Sequence, residues 1–106
     1  MDNIQEKIDE LVNNNSIILF IKGTRTFPQC GFSQTVTHIF DLMQIPYVTV
    51  NVLENEEIRQ GIKSYSHWPT IPQVYIEQEF IGGADIITEM YHNGKLQEKV
   101  EKVLAA

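Results

Sequence analysis

Cysteine is almost absent from this chain, which has a single one, Cys30, among its 106 residues. One cysteine cannot form a disulfide within the chain. The sequence therefore excludes a small domain held together by disulfides and favours a reducing compartment. Long apolar runs are missing as well. The apolar stretch Ile17–Ile21 is far shorter than the roughly 20 residues that a membrane-spanning helix needs.

Positive charge is also scarce. The chain has 8 lysine and arginine residues against 14 aspartate and glutamate residues, for a net charge of −6. That balance argues against general nucleic-acid binding and against docking on anionic membranes. The opening residues "MDNIQEKIDE" are acidic and polar, so neither a signal peptide nor a transit peptide is expected. With 42% hydrophobic residues, one domain over residues 1–106 with a single core is predicted.

Apolar residues alternate between helical and strand spacing along the chain, which predicts an α/β fold. Helices are predicted up to about Asn13, from Gly31 to about Gln44, over 54–66, from Asp85, and over 95–106 after a break at Asn93-Gly94. Strands are predicted at 17–21 and 47–52, parallel to each other, with a hairpin over 73–83 that turns at Glu77-Gln78. The inner side of the second helix is predicted to carry Phe32, Val36, Ile39, Phe40 and Met43.

Cys30 stands at the predicted start of the second helix. A thiol there meets the positive end of the helix dipole and unpaired N–H groups, and both favour the thiolate. Lys22, at the end of the first strand, adds positive charge nearby. The thiolate is the form that attacks disulfides and binds metals. The alternative is a buried, inert cysteine, but the following Gly31 leaves the sulfur uncrowded.

Ser33 occupies the position where a dithiol motif has its second cysteine. Serine cannot close a disulfide, which leaves two chemistries open for Cys30. An external thiol resolves a mixed disulfide at Cys30, or Cys30 is one ligand of a metal centre. A [2Fe–2S] cluster commonly takes four thiolates, so a dimer would supply two and small cellular thiols the others.

Two further stretches predict a surface beside the thiol. In "WPTIPQVY" (68–75), Pro72 precedes a strand, where a thioredoxin-like fold has a cis-proline that leaves the Ile71 backbone open to an extended peptide. The alternative is a trans proline at a strand edge. In "IGGADI" (81–86), Ala84 and Asp85 begin a helix whose free N–H groups suit a carboxylate. The alternative is that Asp85 only stabilises the helix.

Arg59 completes the set of candidate residues. It is either a solvated surface charge, worth about 0.5 kcal/mol in an ion pair, or the partner of a second carboxylate. Together, the candidates describe a site for a zwitterionic tripeptide thiol with two carboxylates. Glutathione has those features.

The stretches "KGT", "FPQCGFS", "WPTIPQVY" and "GGADI", in this order and spacing, resemble the monothiol glutaredoxins of the CGFS type along nearly the whole chain. The segment "EIRQGIKSYSHWPTIPQVY" is most similar to the cyanobacterial and plastid members. The resemblance implies the thioredoxin-like (glutaredoxin) fold, a four-stranded mixed sheet flanked by helices. It also implies a location in a bacterial cytoplasm or a plastid stroma.

The resemblance further implies that Cys30 is both the [2Fe–2S] ligand and the glutathionylation site. The residues implied to bind glutathione are Lys22, Arg59, Ile71, the cis-proline Pro72, Ala84 and Asp85. Members of the family form a homodimer around one cluster held by two protein cysteines and two glutathiones. They deliver clusters to apo iron–sulfur acceptor proteins and pair with BolA-type proteins. The function implied is therefore mainly that of a carrier. A glutathione-dependent monothiol oxidoreductase acting on protein–glutathione mixed disulfides is the alternative.

Three residues depart from the family pattern. Arg25 stands in a loop where proline is frequent, which predicts a looser and more basic loop. Gln78 replaces the usual turn glycine and predicts a different hairpin turn. Ala84 replaces a small polar residue, but the implied contact there is made by the backbone, so the site should survive.

Overall fold

One buried strand organises the chain. All five residues of Ile17–Ile21 are buried, as expected for a strand covered on both faces. The computed structural model describes residues 3–105, and within them no helix is long and apolar enough to cross a membrane. The elements are α1 Asn3–Asn13, β1 Ile17–Ile21, α2 Gly31–Leu42, β2 Val48–Asn51, a 3₁₀ turn Val52–Glu54, α3 Glu56–Ser66, β3 Gln73–Ile76, β4 Glu79–Gly82, α4 Ala84–His92 and α5 Lys95–Ala105.

In the described part of the chain, four strands form one mixed sheet in the order β2-β1-β3-β4. β1 is parallel to β2, whereas antiparallel pairing joins β1 to β3 and β3 to β4. A parallel pair needs a crossover between its strands, and α2 provides it. The predicted four-stranded mixed sheet is therefore confirmed, and so is the parallel pairing of its first two strands.

Each face of the sheet has its own core because β1 alternates its side chains between the two faces. Leu19 and Ile21 pack with residues from α2, α4 and α5, among them Val36, Phe40, Ile87 and Leu96. Ile18 and Phe20 pack with residues from α1 and α3, among them Ile8, Val12, Ile58 and Ile62. Burying a side chain of this size stabilises the fold by about 1.5–3 kcal/mol. Packing on β1 therefore holds the helices on both faces.

The predicted inner side of α2 is wrong at one residue. Phe32 is 64% exposed, whereas Val36, Ile39 and Phe40 are buried as predicted. Phe32 lies in the first turn of α2, which borders a surface cleft instead of the core. The helix also ends at Leu42, earlier than predicted, because Gln44 has a left-handed backbone (φ 56°) that a helix cannot continue.

The hairpin between β3 and β4 turns at Glu77 and Gln78, as predicted. Both residues have positive φ, 49° and 66°, which matches the type I′ turn that two-residue hairpins favour. Asparagine and glycine usually fill these two positions because other residues meet steric resistance there. Glu77 and Gln78 therefore adopt this turn although neither is a residue type that favours positive φ.

Replacing Gln78 with Gly should stabilise the protein, because glycine adopts positive φ without steric resistance. The gain is offset in part by the greater freedom of glycine in the unfolded chain, which leaves about 0.5–1 kcal/mol. Thermal unfolding followed by circular dichroism should show a Tm higher by about 2–8 °C.

The matched control is Gln60→Gly in the middle of α3, where the residue is exposed and helical. Glycine at such a position lowers stability by about 1 kcal/mol. If both substitutions lower Tm, the positive φ at Gln78 is not a source of strain.

Candidate functional site

An open cleft of about 420 Å³ lies where three segments of the chain meet. The end of β1 and the start of α2 form one side, α3 with the loop that follows it forms another, and the start of α4 forms the third. Lys22, Ile71, Pro72, Ala84 and Asp85, all predicted site residues, line this cleft. The structure therefore brings together five residues from three separate stretches of the sequence.

Cys30 adjoins the cleft through its neighbours Lys22 and Phe32, which line it. It is the N-cap residue of α2, with an extended backbone at φ −147° and ψ 152°. Its Sγ accepts a hydrogen bond from the Ser33 N–H, with 3.4 Å between sulfur and nitrogen. Side-chain oxygens usually have this role at helix N-termini. The half-buried sulfur therefore lies at the positive end of the α2 dipole, where the sequence predicts it.

Ser33 has a structural role of its own, in addition to standing where a dithiol motif has its second cysteine. Its hydroxyl is buried, accepts the Lys22 backbone N–H at 3.0 Å, and lies 3.4 Å from Cys30 Sγ. Because Lys22 donates to the oxygen, the hydroxyl hydrogen is available to the sulfur when the thiol ionises. Ser33 thereby joins the end of β1, the start of α2 and the reactive sulfur.

These contacts lower the pKa of the Cys30 thiol below its ordinary value. Partial burial raises the pKa, but hydrogen bonds from the Ser33 hydroxyl and from the Ser33 and Phe32 N–H groups, with the positive charge of Lys22, outweigh it. A lower pKa increases the fraction of thiolate at neutral pH, and the thiolate is the nucleophile and the metal ligand. Cys30 is therefore partly exposed, and its thiol ionises more readily than an ordinary cysteine. It is not the buried, inert cysteine that the sequence left as an alternative.

The loop 22–29, which leads to Cys30, is tied down instead of loose. Arg25 donates from Nε and Nη2 to Asp41 Oδ1 at 3.0 and 2.7 Å, and its guanidinium lies 4.1 Å from the centre of the Tyr47 ring. The Tyr47 hydroxyl donates to the same Asp41 oxygen at 2.7 Å. At the start of the loop, the Gly23 N–H donates to Asn51 Oδ1 at 2.9 Å. The looser loop predicted from Arg25 is therefore wrong, because Arg25 is the residue that anchors it.

The wall of the cleft opposite α2 depends on a close approach of two backbone segments. The Ile71–Pro72 peptide bond is cis, as predicted. Gly83, the N-cap of α4, has no side chain to hydrogen-bond to the helix. A Cβ at Gly83 would lie 3.1 Å from the Pro72 carbonyl oxygen, tighter than an ordinary contact. Gly83 therefore lets the start of α4, with Ala84 and Asp85, lie directly against the proline segment.

Two cations lie on one face of α3, although the sequence analysis identified only one of them. Lys63 lines the cleft, and Arg59 precedes it by four residues, which places both on the same side of the helix. The Nε of Arg59 is buried with no hydrogen-bond partner among the described residues, and its Nη1 lies 3.9 Å from Glu56. The helical spacing from Arg59 was the signal that could have identified Lys63.

Within residues 3–105, the side chains of histidine, cysteine, aspartate and glutamate form no group of three or more that could hold a metal ion.

Replacing Ser33 with Ala should raise the pKa of the Cys30 thiol, because the thiolate loses the hydroxyl that stabilises it. The thiolate fraction would then be lower at any pH below the new pKa. The rate of alkylation by iodoacetamide, measured as a function of pH, reports this pKa directly. Thr35→Ala is the control, because the Thr35 hydroxyl bonds to the Gly31 carbonyl on the same helix. An unchanged pH profile for Ser33→Ala would show that the hydroxyl does not stabilise the thiolate.

Comparison with known proteins agrees with the geometry. The glutaredoxin family model matches residues 17–81. Over 100 residues the chain is 55% identical to a Synechocystis protein described as an uncharacterized monothiol glutaredoxin, and the match covers 94% of each. It is 50% identical over 103 residues to the chloroplastic monothiol glutaredoxin-S14 of Arabidopsis thaliana, with 97% of this chain and 60% of that protein covered. These relatives are cyanobacterial and chloroplastic.

Solved structures share the fold. The solution structure of reduced apo GrxS14 from poplar superimposes with a TM-score of 0.83 at 51% identity, over 97% of this chain and 94% of that one. The crystal structure of a buckwheat glutaredoxin–glutathione complex superimposes with a TM-score of 0.84 at 26% identity, over 95% and 90% of the two chains. The predicted thioredoxin-like fold is thus confirmed. The chain belongs to the glutaredoxin family, and its relatives and its single cysteine place it among the monothiol glutaredoxins.

Proposed function

We propose that this protein binds glutathione in the cleft beside Cys30 and uses it to hold and transfer a [2Fe–2S] cluster. The observation that carries the proposal is one thiol of lowered pKa adjoining a cleft lined by Lys22, Lys63 and Asp85. Glutathione carries two carboxylates, an α-ammonium group and a thiol. The cleft offers cations and a helix N-terminus to the carboxylates and a carboxylate to the ammonium group. The related buckwheat glutaredoxin in complex with glutathione supports the same ligand.

Each proposed residue has a distinct part in binding. Lys22 and Lys63 line the cleft and pair with carboxylates, and Arg59, one turn from Lys63 on α3, adds a third positive charge on the same side of the helix. The Ile71 backbone, beside the cis Pro72, pairs with the extended tripeptide as a strand would. The N–H groups of Ala84 and Asp85 at the start of α4 bind the second carboxylate. This arrangement leaves the glutathione sulfur facing Cys30.

The number of thiolate ligands that a cluster needs determines how many chains and glutathiones the proposed assembly contains. Each chain has one cysteine, whereas a [2Fe–2S] cluster commonly takes four thiolates. Two chains and two glutathiones supply the four, so we propose a homodimer bridged by the cluster. Because two of the ligands are small, exchangeable molecules, the cluster can pass to an apo iron–sulfur acceptor protein. A BolA-type protein is the further partner proposed, and a bacterial cytoplasm or a plastid stroma is the proposed compartment.

The second candidate is a glutathione-dependent monothiol oxidoreductase that acts on protein–glutathione mixed disulfides. The same half-buried thiol of lowered pKa favours it. The Cys30 thiolate would attack the glutathione sulfur of a mixed disulfide and release the protein thiol. A second glutathione would then release oxidised glutathione and regenerate Cys30. Both candidate functions use the same cleft. They differ in whether Cys30 in the resting protein is bound to a cluster or is a free thiolate.

Anaerobic reconstitution with iron, sulfide and glutathione tests the carrier function. We expect visible absorption from a [2Fe–2S] cluster, a dimeric mass, and transfer to an apo-ferredoxin. Cys30→Ser should retain the fold, since serine is nearly isosteric, and should bind no cluster because it loses the thiolate ligand. A cluster formed by Cys30→Ser would refute the ligand assignment. If the unmodified protein instead turns over briskly in a glutathione-coupled assay and never yields a bridged dimer, the oxidoreductase function takes the place of the carrier function.

Replacing Lys22, Arg59 or Lys63 with Ala should each weaken glutathione binding. A lost hydrogen bond to a charged group costs about 1.5 kcal/mol, at the low end of its range because the cleft is open to water. That corresponds to an increase of about tenfold in Kd, measurable by NMR titration of the apo protein. Lys102→Ala is the matched control, because it removes one charge from an exposed residue of α5. An equal loss of affinity in this control would indicate a general charge effect and no specific site.

A further inference from the structure

Gln73 is a fully buried polar residue at the start of β3. Its Nε2 donates to two backbone carbonyls, those of Trp68 and Thr70, each at 3.2 Å. Its Oε1 accepts the Tyr75 hydroxyl, also at 3.2 Å. The amide therefore uses both of its donors and one of its acceptor positions. All of these partners lie within five residues of it along the chain.

The two carbonyls belong to a segment with no helix or strand of its own. Residues 67–72 connect α3 to β3, and Trp68, Thr70 and Ile71 line the cleft. No ladder of backbone hydrogen bonds orders the carbonyls of this segment, so a buried side chain that binds them fixes the path of the backbone. Gln73 supplies two partners from beneath the segment.

Trp68 is held from a second direction. Its N–H donates to the Lys63 carbonyl at 3.2 Å and to the Ser66 hydroxyl at 3.1 Å. Its ring packs against Phe80, with the ring centres 5.8 Å apart, and Phe80 in turn packs against Tyr75 at 5.5 Å. Gln73 and Tyr75 point to the same face of β3 because they are two residues apart. The hydrogen bonds of Gln73 and the ring contacts of Tyr75 therefore support the same wall of the cleft.

We propose that Gln73 is a positioning residue for glutathione. It does not line the cleft and acts by fixing the backbone of residues 68–70, and with it the Trp68 wall and the Ile71 edge. This inference rests on the proposed glutathione binding. An apolar residue of similar size would fill the volume without desolvating an amide, so packing alone does not account for glutamine here. The two backbone carbonyls that Gln73 binds explain why a glutamine is present.

The experiment uses Gln73→Met, which keeps the length and removes both donors. We expect the Kd for glutathione, from NMR titration of the apo protein, to rise about tenfold, equivalent to about 1.4 kcal/mol. Trp68 is the one tryptophan of the chain, so its fluorescence reports on this segment alone. Its emission should shift and its anisotropy should fall as the segment loosens. Gln73→Leu provides the same comparison if the methionine variant does not fold.

Two controls separate positioning from loss of stability. Tyr75→Phe removes the bond to Oε1 and keeps both carbonyl bonds, so its affinity for glutathione should remain near that of the wild type. Val100→Ala opens the core at α5, away from the cleft, and should lower Tm without changing Kd or Trp68 emission. If Val100→Ala weakens binding as much as Gln73→Met, or if Gln73→Met binds as the wild type does, the inference is wrong.

Glutathione binding and the positioning role of Gln73 are tested by different measurements. A wild-type chain that binds no glutathione refutes the proposed function, whatever the variants do. In that case Trp68 fluorescence alone decides the role of Gln73. Unchanged emission and anisotropy in Gln73→Met would then refute the positioning role as well.

Discussion

The hydrogen bond from the Lys22 backbone to the buried Ser33 hydroxyl is the contact on which the site depends. It joins the end of the central strand to the first turn of α2. β1 and α2 share one buried core on one face of the sheet, so many apolar contacts fix their relative position. The reactive sulfur lies at this junction, so the contacts that fix the two elements also fix the position of the sulfur. A thiol placed by a loop alone would have its neighbours defined far less sharply.

The sequence predicted the fold well because the fold depends on strong, local patterns. A β-branched run between turn residues predicted β1, and apolar stripes predicted the helices around it. The end of α2 was less certain, because Gln44 adopts a positive φ although glutamine does not usually signal one. Phe32 fits the apolar stripe of α2 yet is exposed. The stripe alone does not tell where the core ends and a cleft begins.

The site was predicted in part from residues and in part from resemblance. Helix-start chemistry suggested Cys30 and Asp85, whereas the cis bond before Pro72 needed the likeness to a known fold. Lys63 was missed although its spacing from Arg59 was visible. The anchoring role of Arg25 was not predictable, since its partners Asp41 and Tyr47 lie far along the chain. Long-range contacts of this kind carry no local signature. The hydroxyl of Ser33 was treated as the absence of a thiol, because its bond to Lys22 exists only in the folded protein.

The sulfur of Cys30 caps α2, and it is also the atom that we propose as cluster ligand or nucleophile. A sulfur that forms a bond to a metal or to another sulfur has less charge to share with the amides of Phe32 and Ser33. Occupation of the thiol in either of the proposed ways would therefore weaken the cap at the beginning of α2. The exposed ring of Phe32 belongs to that same turn. A partner protein that binds at this ring would therefore contact the turn whose capping depends on whether the sulfur is occupied.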